Sequence, residues 1–434
     1  MHNLIQKKVD KIKEEIIIDR RDFHKYPEIG WTEFRTASLV ARRLEELGFQ
    51  VLVGKEVMNS DKRMGLIDKE ILKEHYIRAK KQGADTYYLE KVKYGFTGVV
   101  GILKCGDGPV IGLRFDIDAL EVLESKDTEH FPKKEGFRSL NEGIMHACAH
   151  DGHIAIGIGI AKILSEMKQF FNGTIKLIFQ PAEEGVRGAK SMAVSGILDD
   201  LDFILSSHIG MVKDGSNKIY SNVQELLATS KFDAHFTGIS THAGASPEKG
   251  KNVMLAVATA ILNLNSIPRH SKGQTRINVG KLTAGSGRNV IPSDAVMMVE
   301  TRGSTSELNN YMKEHAIRII KSSADMYDLK LSIKEMGGAE SAVSDEYLIN
   351  KLKDAVNKIN NVEVDDTNIN FGGSEDFTYM MKRVQNNGGK AIYFIIGSDI
   401  KADHHNGKFD FIEDDLITAV KVYSMLIAEL LHKK

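Results

Sequence analysis

Apolar strands that alternate with helices limit the folds that the chain can adopt. Strands are predicted at residues 97–104, 109–115, 174–179 and 203–205. An apolar run from Ile154 to Leu164 separates the second strand from the third and predicts a buried helix, Asp151 to about Met167. Helices that alternate with buried strands are typical of an open α/β sheet. We therefore expect an α/β fold built on one mixed sheet.

The pattern changes after residue 225. Residues 231–236 alternate between apolar and polar side chains, which favours a half-exposed antiparallel sheet. The α/β pattern resumes with a helix predicted at 346–359. We therefore predict an α+β satellite inserted into the α/β domain. The predicted domains are a catalytic domain in two parts, residues 1–224 and 338–434, and a dimerisation or lid domain, residues 225–337.

Composition excludes several classes of function. The 434 residues include 58 Lys and Arg and 59 Asp and Glu, so no basic field indicates a nucleic-acid or anionic-membrane partner. No apolar run reaches transmembrane length, and the N-terminus is charged and amphipathic, unlike a signal peptide. Two cysteines, Cys105 and Cys148, make no disulfide framework. We therefore expect a cytoplasmic protein of two or three domains.

The segment Met145–His153 holds three histidines and one of the two cysteines. Asp151 is a plausible N-cap for the helix that follows, which would place Cys148 and His150 on a loop at the helix start. Their spacing of two puts both side chains on one side of an extended segment. A thiolate and an imidazole suit a borderline or soft divalent metal. Taken alone, a polar cap and a small buried cysteine explain the segment equally well.

Charged or histidine side chains follow several of the predicted strands. The residues are Asp116 and Asp118, Glu183 and Glu184, His208, and the pair His404 and His405, which follows the predicted strand 391–396. In an open α/β sheet, side chains just beyond the strand ends line the ligand crevice. The sequence therefore predicts one site that collects these residues.

The chemistry of these side chains predicts a hydrolytic metal site. The candidate ligands are Cys148, His150, Glu184, His208 and one of His404 and His405. Five such ligands exceed one tetrahedral zinc and suit two divalent ions that share a water. One glutamate of Glu183-Glu184 can bind metal while the other accepts a proton from the water. The predicted reaction is hydrolysis of an amide.

Several motifs, in order along the chain, resemble the dinuclear metallo-amidohydrolases and carboxypeptidases, a superfamily that includes aminoacylases and hippurate hydrolases. The resemblance is closer to p-aminobenzoyl-glutamate hydrolases and spans nearly the whole chain, including the polar stretch 55–94, to which we assign no role. The motifs are residues 145–153, 179–185, 207–208, 241–244, 287–292, 300–303, 373–376 and 405–409.

The resemblance implies roles for individual residues. Glu183 matches the general base, and His405 is preferred to His404 because the superfamily has a phenylalanine four residues after the ligand, here Phe409. The implied metal ligands are Cys148, His150, Glu184, His208 and His405. The implied cofactors are two divalent ions, manganese or zinc. One departure is Ala149, which stands where the superfamily usually has glycine and would be strained at a positive φ; a second is Glu121, where many relatives have proline.

The resemblance also implies a substrate and a partner. His242 matches a satellite histidine that reaches the neighbouring subunit's active site and steadies the oxyanion. Asn289 and Arg302 match groups that hold the substrate, and a guanidinium suits a carboxylate. We expect an N-acyl amino acid substrate, p-aminobenzoyl-glutamate, and a homodimer or a heterodimer with a related subunit. The alternatives are a broader N-acyl-amino-acid hydrolase or dipeptidase, and a non-catalytic partner subunit, which would have no reason to keep Glu183.

Overall fold

The computed structural model describes residues 1–212 and 215–432, and the chain divides into two compact units. The first unit comprises Met1–Gln224, Val343–Phe371 and Tyr379–Lys434. The second comprises Glu225–Ala342 and Gly372–Thr378, so it contains the whole of the predicted satellite. Among the described residues, no helix combines the length and apolar character needed to cross a bilayer.

The helices and strands are numbered in chain order. The α-helices are α1 (His2–Lys11), α2 (Lys13–Lys25), α3 (Phe34–Glu46), α4 (Lys69–Lys81), α5 (Thr86–Lys91), α6 (Phe131–Lys134), α7 (His150–Met167), α8 (Ala189–Ala193), α9 (Val253–Asn265), α10 (Ser306–Met326), α11 (Glu346–Val356), α12 (Phe377–Asn386) and α13 (Asp414–Leu431). The strands are β1 (Gln50–Val53), β2 (Val99–Lys104), β3 (Val110–Asp116), β4 (Thr174–Gln180), β5 (Phe203–Ile209), β6 (Lys218–Tyr220), β7 (Val223–Gln224), β8 (Ala228–Thr237), β9 (Thr275–Ala284), β10 (Asp294–Gly303), β11 (Lys330–Ala339), β12 (Glu363–Asp365), β13 (Ile369–Asn370) and β14 (Lys390–Ile396).

A mixed sheet organises the first unit and confirms the predicted fold class. Its strand order is β1-β2-β4-β3-β5-β14-β6-β12, and the four central strands β4, β3, β5 and β14 run parallel. In the pairing of β3 with β4, Asp116 lies opposite Gln180, so the two strands end together. The segments that follow these parallel strands therefore leave from the same edge of the sheet.

Helix α7 is the buried helix that the apolar run predicted. Its isoleucines at 154, 156, 158, 160 and 163 are at most 1% exposed, and each contributes about 1.5–3 kcal/mol by burial. The helix packs against α2, α13 and the central strands. Gly157 permits close approach to the sheet, since an added Cβ there would lie 2.7 Å from the Phe179 ring. The start of α7 is thereby fixed relative to the strand ends.

The second unit is a four-stranded antiparallel sheet with two helices. The strand order is β11-β8-β10-β9, and α9 and α10 pack on the sheet. Along β8, Phe232, Ala234 and Phe236 are buried, while the side chains between them are partly exposed. The period-two pattern in the sequence therefore correctly predicted an antiparallel sheet with one buried face.

Candidate metal centre

The turn into α7 holds its backbone in a strained conformation. Ala149 has φ 64° and ψ 12°, in the left-handed region, and α7 begins at the next residue, His150. An L-residue in this region costs roughly 1–2 kcal/mol, and only glycine adopts it freely. The strain expected of alanine at this position is therefore present, and the turn directs Cys148 and His150 from the start of a rigid helix.

Asp151 does not cap α7 as predicted. No side chain caps this helix, and Asp151 lies inside its first turn. Its Oδ2 accepts hydrogen bonds from Arg20 Nε and His24 Nδ1, each at 2.9 Å. Burial would raise the pKa of Asp151, but Arg20 and His24 outweigh burial and hold that pKa below its usual range. The carboxylate therefore links α7 to α2 through these hydrogen bonds and does not accept from the free N–H groups at the start of α7.

Cys148 lies beside His208, a residue of β5. Cys148 Sγ is 3.4 Å from His208 Nε2, and His208 Nδ1 lies 2.9 Å from the carbonyl oxygen of Ile209. A carbonyl can only accept, so Nδ1 carries the proton and Nε2 presents a lone pair to the sulfur. Burial, followed by the charge of Glu184, raises the pKa of the Cys148 thiol. A coordinated cation would reverse that effect and stabilise the thiolate.

His150 is fixed by a backbone carbonyl in the same way. Its Nδ1 lies 2.9 Å from the carbonyl oxygen of Asp118, while Nε2 is buried and has no hydrogen-bond partner among the described residues. Burial would lower the pKa of His150, but the charge of Asp116 together with the interactions with Asp118 and Cys148 outweighs burial and raises it. A buried polar atom without a partner costs about 1–3 kcal/mol, and a bound cation would satisfy it.

The two glutamates after β4 are held through their backbone. Asp118 Oδ1 accepts from the Glu183 N–H and Asp118 Oδ2 from the Glu184 N–H, both at 3.0 Å. The sequence placed Asp118 near the site without a role, and the structure shows that it fixes this turn. Glu183 Oε2 lies 4.0 Å from His150 Nε2. Burial, with the nearby charge of Asp118, raises the pKa of Glu184 to about 7.

Glu33 is a residue of the site that the sequence did not reveal. Its Oε1 accepts from the Ala182 N–H at 2.8 Å, and its Oε2 accepts from the Thr97 hydroxyl at 2.6 Å. Burial, with the charge of Asp118, raises the pKa of Glu33 to about 8. Glu33 thus holds the residue directly before Glu183, and no strand end or motif in the sequence marks this position.

His404 and His405 face different partners. His405 Nε2 is 3.5 Å from Glu184 Oε1, and its backbone N–H donates to the carbonyl oxygen of Ala147 at 2.8 Å. The His404 ring lies edge-on to the His208 ring, with centroids 5.1 Å apart. Both histidines therefore approach the other candidate ligands, although the resemblance selected only His405.

The candidate donor atoms lie close enough to one another to hold divalent metal ions. Two ligands of one tetrahedral ion stand about 3.3–3.8 Å apart when the bonds are about 2.0–2.3 Å long. The distances from Cys148 to His208 and from His405 to Glu184 match this separation. Potential ligand atoms lie within 4.8 Å of one another in the groups Cys148–His208–His404, Cys148–Glu184–His405 and His150–Glu183–Glu184. The structure thus brings all five predicted ligands into linked groups.

The remaining predicted site residues belong to the second unit. His242 is exposed, and its Nδ1 accepts from the N–H groups of Gly244 and Ala245 at 3.1 Å, so Nε2 carries the proton. Asn289 is also exposed. Arg302 contacts Glu300 at both carboxylate oxygens, each at 3.1 Å. A substrate carboxylate would therefore have to share the guanidinium with Glu300.

The family assignment follows from comparison with known proteins. The model of the family described as "Peptidase family M20/M25/M40" matches residues 112–429. These residues include every predicted ligand, the paired glutamates and the second unit. The chain belongs to this peptidase family. As an M20 family member it is a metallohydrolase that acts on amide bonds.

Named relatives extend over the full chain. A p-aminobenzoyl-glutamate hydrolase of Escherichia coli, named as one subunit of that enzyme, is 45% identical over 93% of this chain and 92% of its own. The indole-3-acetyl-aspartic acid hydrolase of Enterobacter agglomerans is 42% identical over 97% of both chains. The crystal structure of the aminobenzoyl-glutamate utilization protein from Klebsiella pneumoniae has a TM-score of 0.85 at 37% identity and covers 97% of each chain.

Proposed function

We propose that the chain hydrolyses p-aminobenzoyl-glutamate to p-aminobenzoate and glutamate with two divalent ions, manganese or zinc. The observation that carries the proposal is the position of the paired glutamates among the candidate ligands, with both backbone N–H groups held by Asp118. The names and full-length similarity of two relatives support the substrate. The residues proposed to hold the ions are Cys148, His150, Glu184, His208 and His405.

The ions would polarise the scissile carbonyl and acidify the attacking water. Glu183 accepts the proton of that water as its oxygen adds to the carbonyl carbon, and it delivers the proton to the amide nitrogen as the C–N bond breaks. His242, with its proton on Nε2, donates to the oxyanion, and Asn289 and Arg302 hold the glutamate carboxylates. Because Arg302 already contacts Glu300, a substrate carboxylate would bind the guanidinium beside Glu300 or in exchange for it.

A homodimer or a heterodimer with a related subunit is part of the proposal. His242 lies on an exposed loop of the second unit, where its Nε2–H can be offered to another chain. The names of two relatives describe each of them as one subunit of a hydrolase. The proposed arrangement has His242 of each protomer completing the active site of its neighbour.

A second substrate class requires a direct comparison because one relative at 42% identity is named for indole-3-acetyl-aspartic acid. Both names combine an aromatic acyl group with an acidic amino acid. Purified protein loaded with manganese or zinc should be assayed on p-aminobenzoyl-glutamate, indole-3-acetyl-aspartate, hippurate and a neutral dipeptide. The proposal expects the highest kcat/KM for p-aminobenzoyl-glutamate. A higher value for any of the other three substrates would contradict it, and a higher value for indole-3-acetyl-aspartate would identify that amide as the preferred substrate.

The glutamate roles can be separated with two matched variants. E183Q should keep both ions and lose turnover, because an amide cannot accept the proton. E184Q should lose metal, because an amide is a weaker ligand than a carboxylate. Metal content is measured in the purified proteins alongside activity. Loss of metal in E183Q with retention in E184Q would show that the two roles are reversed.

A further inference from the structure

His404 has one ring nitrogen that the fold leaves without a partner. Its Nε2 lies 3.1 Å from the carbonyl oxygen of Gly210, so Nε2 carries the proton and Nδ1 holds a lone pair. Nδ1 is buried and has no hydrogen-bond partner among the described residues. Leaving a buried acceptor unsatisfied costs about 1–3 kcal/mol. The orientation of the ring therefore requires an explanation beyond filling space.

Packing alone does not explain why the fold buries Nδ1 of His404 without a hydrogen-bond partner. The His404 ring packs on Phe409, with centroids 4.6 Å apart, and a phenylalanine or leucine would make that contact without burying a polar atom. The ring also lies edge-on to His208, which is itself a candidate ligand. The two imidazoles are oriented in the same way, by a hydrogen bond from one ring nitrogen to a backbone carbonyl. His208 Nδ1 donates to Ile209, and His404 Nε2 donates to Gly210. Metal-ligating histidines characteristically donate their second N–H in this way.

We infer that His404 is a metal ligand, whose Nδ1 joins Cys148 and His208 around one of the two ions. The three side chains offer donor atoms that all lie within 4.8 Å of one another. His405 belongs to the other group, with Cys148 and Glu184. His404 would thus be a ligand in addition to His405, and Cys148 belongs to both groups.

This assignment rests on the proposed function only in requiring two divalent ions. An ion held by Cys148, His208 and His404 would have one sulfur and two imidazole donors, a set that leaves one position of a tetrahedral site for water. The donor set of that ion is softer than that of the ion beside Glu184, which has a carboxylate ligand. Sulfur and imidazole favour zinc or cobalt over manganese. His404 therefore makes the two positions unequal in their metal preference.

The variant H404F tests the assignment because it keeps an aromatic ring against Phe409 and removes both nitrogens. Metal-free wild-type protein and H404F are titrated with zinc in the presence of a competing chelator. We expect H404F to lose more than about 100-fold in affinity for one ion, beyond the roughly 10–100-fold loss typical of an outer-shell partner. Binding of the other ion should stay within a few-fold of wild type. The control H432F changes an exposed histidine near the chain end and should bind both ions as wild type does.

Cobalt substitution supplies a second measurement that does not depend on the variant folding. In wild-type protein labelled with nitrogen-15 histidine, each imidazole bound to cobalt(II) gives strongly shifted resonances. We expect four such imidazoles, those of His150, His208, His404 and His405. Three shifted imidazoles in wild type, or unchanged affinity for both ions in H404F, would overturn the assignment. Neither measurement uses a substrate. Four shifted imidazoles in a protein that does not hydrolyse p-aminobenzoyl-glutamate would therefore support His404 as a metal ligand and refute only the proposed substrate.

Discussion

His24 links the pH of the solution to the stability of the first unit. The side chain is fully buried, with Nδ1 2.9 Å from Asp151 Oδ2 and Nε2 3.1 Å from Glu124 Oε1. Burial would lower the pKa of His24, but the hydrogen bonds and charges of Asp151 and Glu124 outweigh burial and raise the pKa to about 9. The folded protein therefore binds this proton more tightly than the unfolded chain, in which the pKa is 6.5.

The sign and the magnitude of the effect follow from this difference. Stabilisation by the His24 proton is complete below the unfolded pKa of 6.5 and is lost as the pH rises through about 9. A shift of this size corresponds to about 3 kcal/mol of unfolding free energy, at about 1.36 kcal/mol for each pKa unit. The variant H24Q cannot bind the proton, so its stability lacks this component at every pH.

The assay compares urea unfolding of metal-free wild type and H24Q between pH 6 and pH 10. The wild type should be the more stable protein at pH 6, and the gap should shrink by about 3 kcal/mol by pH 10. Other titrating groups, Glu33 among them, occur in both proteins and cancel in the difference. An H432Q control should follow the wild-type curve. A gap that stays constant across the pH range would refute the reasoning.

Three further predictions concern the site. C148A should bind less metal than wild type and lose activity, as measured by metal analysis and p-aminobenzoyl-glutamate hydrolysis. Full occupancy of both metal sites in this variant would contradict the ligand assignment. A149G should raise the free energy of urea unfolding by about 1 kcal/mol by relieving the left-handed alanine, and an unchanged or lower value would show that the turn is not strained. Inactive H242A and inactive E183Q, mixed under conditions that exchange protomers, should regain part of the activity. No recovery despite confirmed exchange would place His242 in its own chain's site or outside the mechanism.

The apolar strands of the first unit were predictable because they are buried on both faces and form continuous hydrophobic runs. The strand predicted at 391–396 is Lys390–Ile396 in the structure. The strand predicted at 203–205 continues to Ile209, since polar residues within it find buried partners. Ser206 Oγ donates to the carbonyl oxygen of Arg114, and Ser207 Oγ accepts from the Tyr423 hydroxyl. Hydropathy cannot reveal such partners, which lie 92 and 216 residues away in sequence.

The same limit explains which site residues the sequence identified. Cys148 and Glu184 stand in local motifs or just past strand ends, so their chemistry was visible. Asp151 also stands in a motif, but the sequence did not reveal its partner Arg20, which is 131 residues away. The hydrogen bond to Arg20 engages the carboxylate that was predicted to cap the helix. Glu33 meets Ala182 across 149 residues and stands in no motif. Residues that act through a distant backbone N–H carry no pattern that the sequence alone displays.

Backbone strain coincides with the candidate ligands, which bears on how the site is assembled. Ala149, Ala182 and His405 have φ values of 64°, 52° and 65°, and each is a candidate ligand or adjoins a ligand or the proposed base. Such conformations persist only where the surroundings enforce them. The Ala182 N–H donates to Glu33 and the His405 N–H to the Ala147 carbonyl. Because these hydrogen bonds fix the backbone independently of the ligand side chains, removing a ligand side chain should reduce metal binding more than it reduces stability.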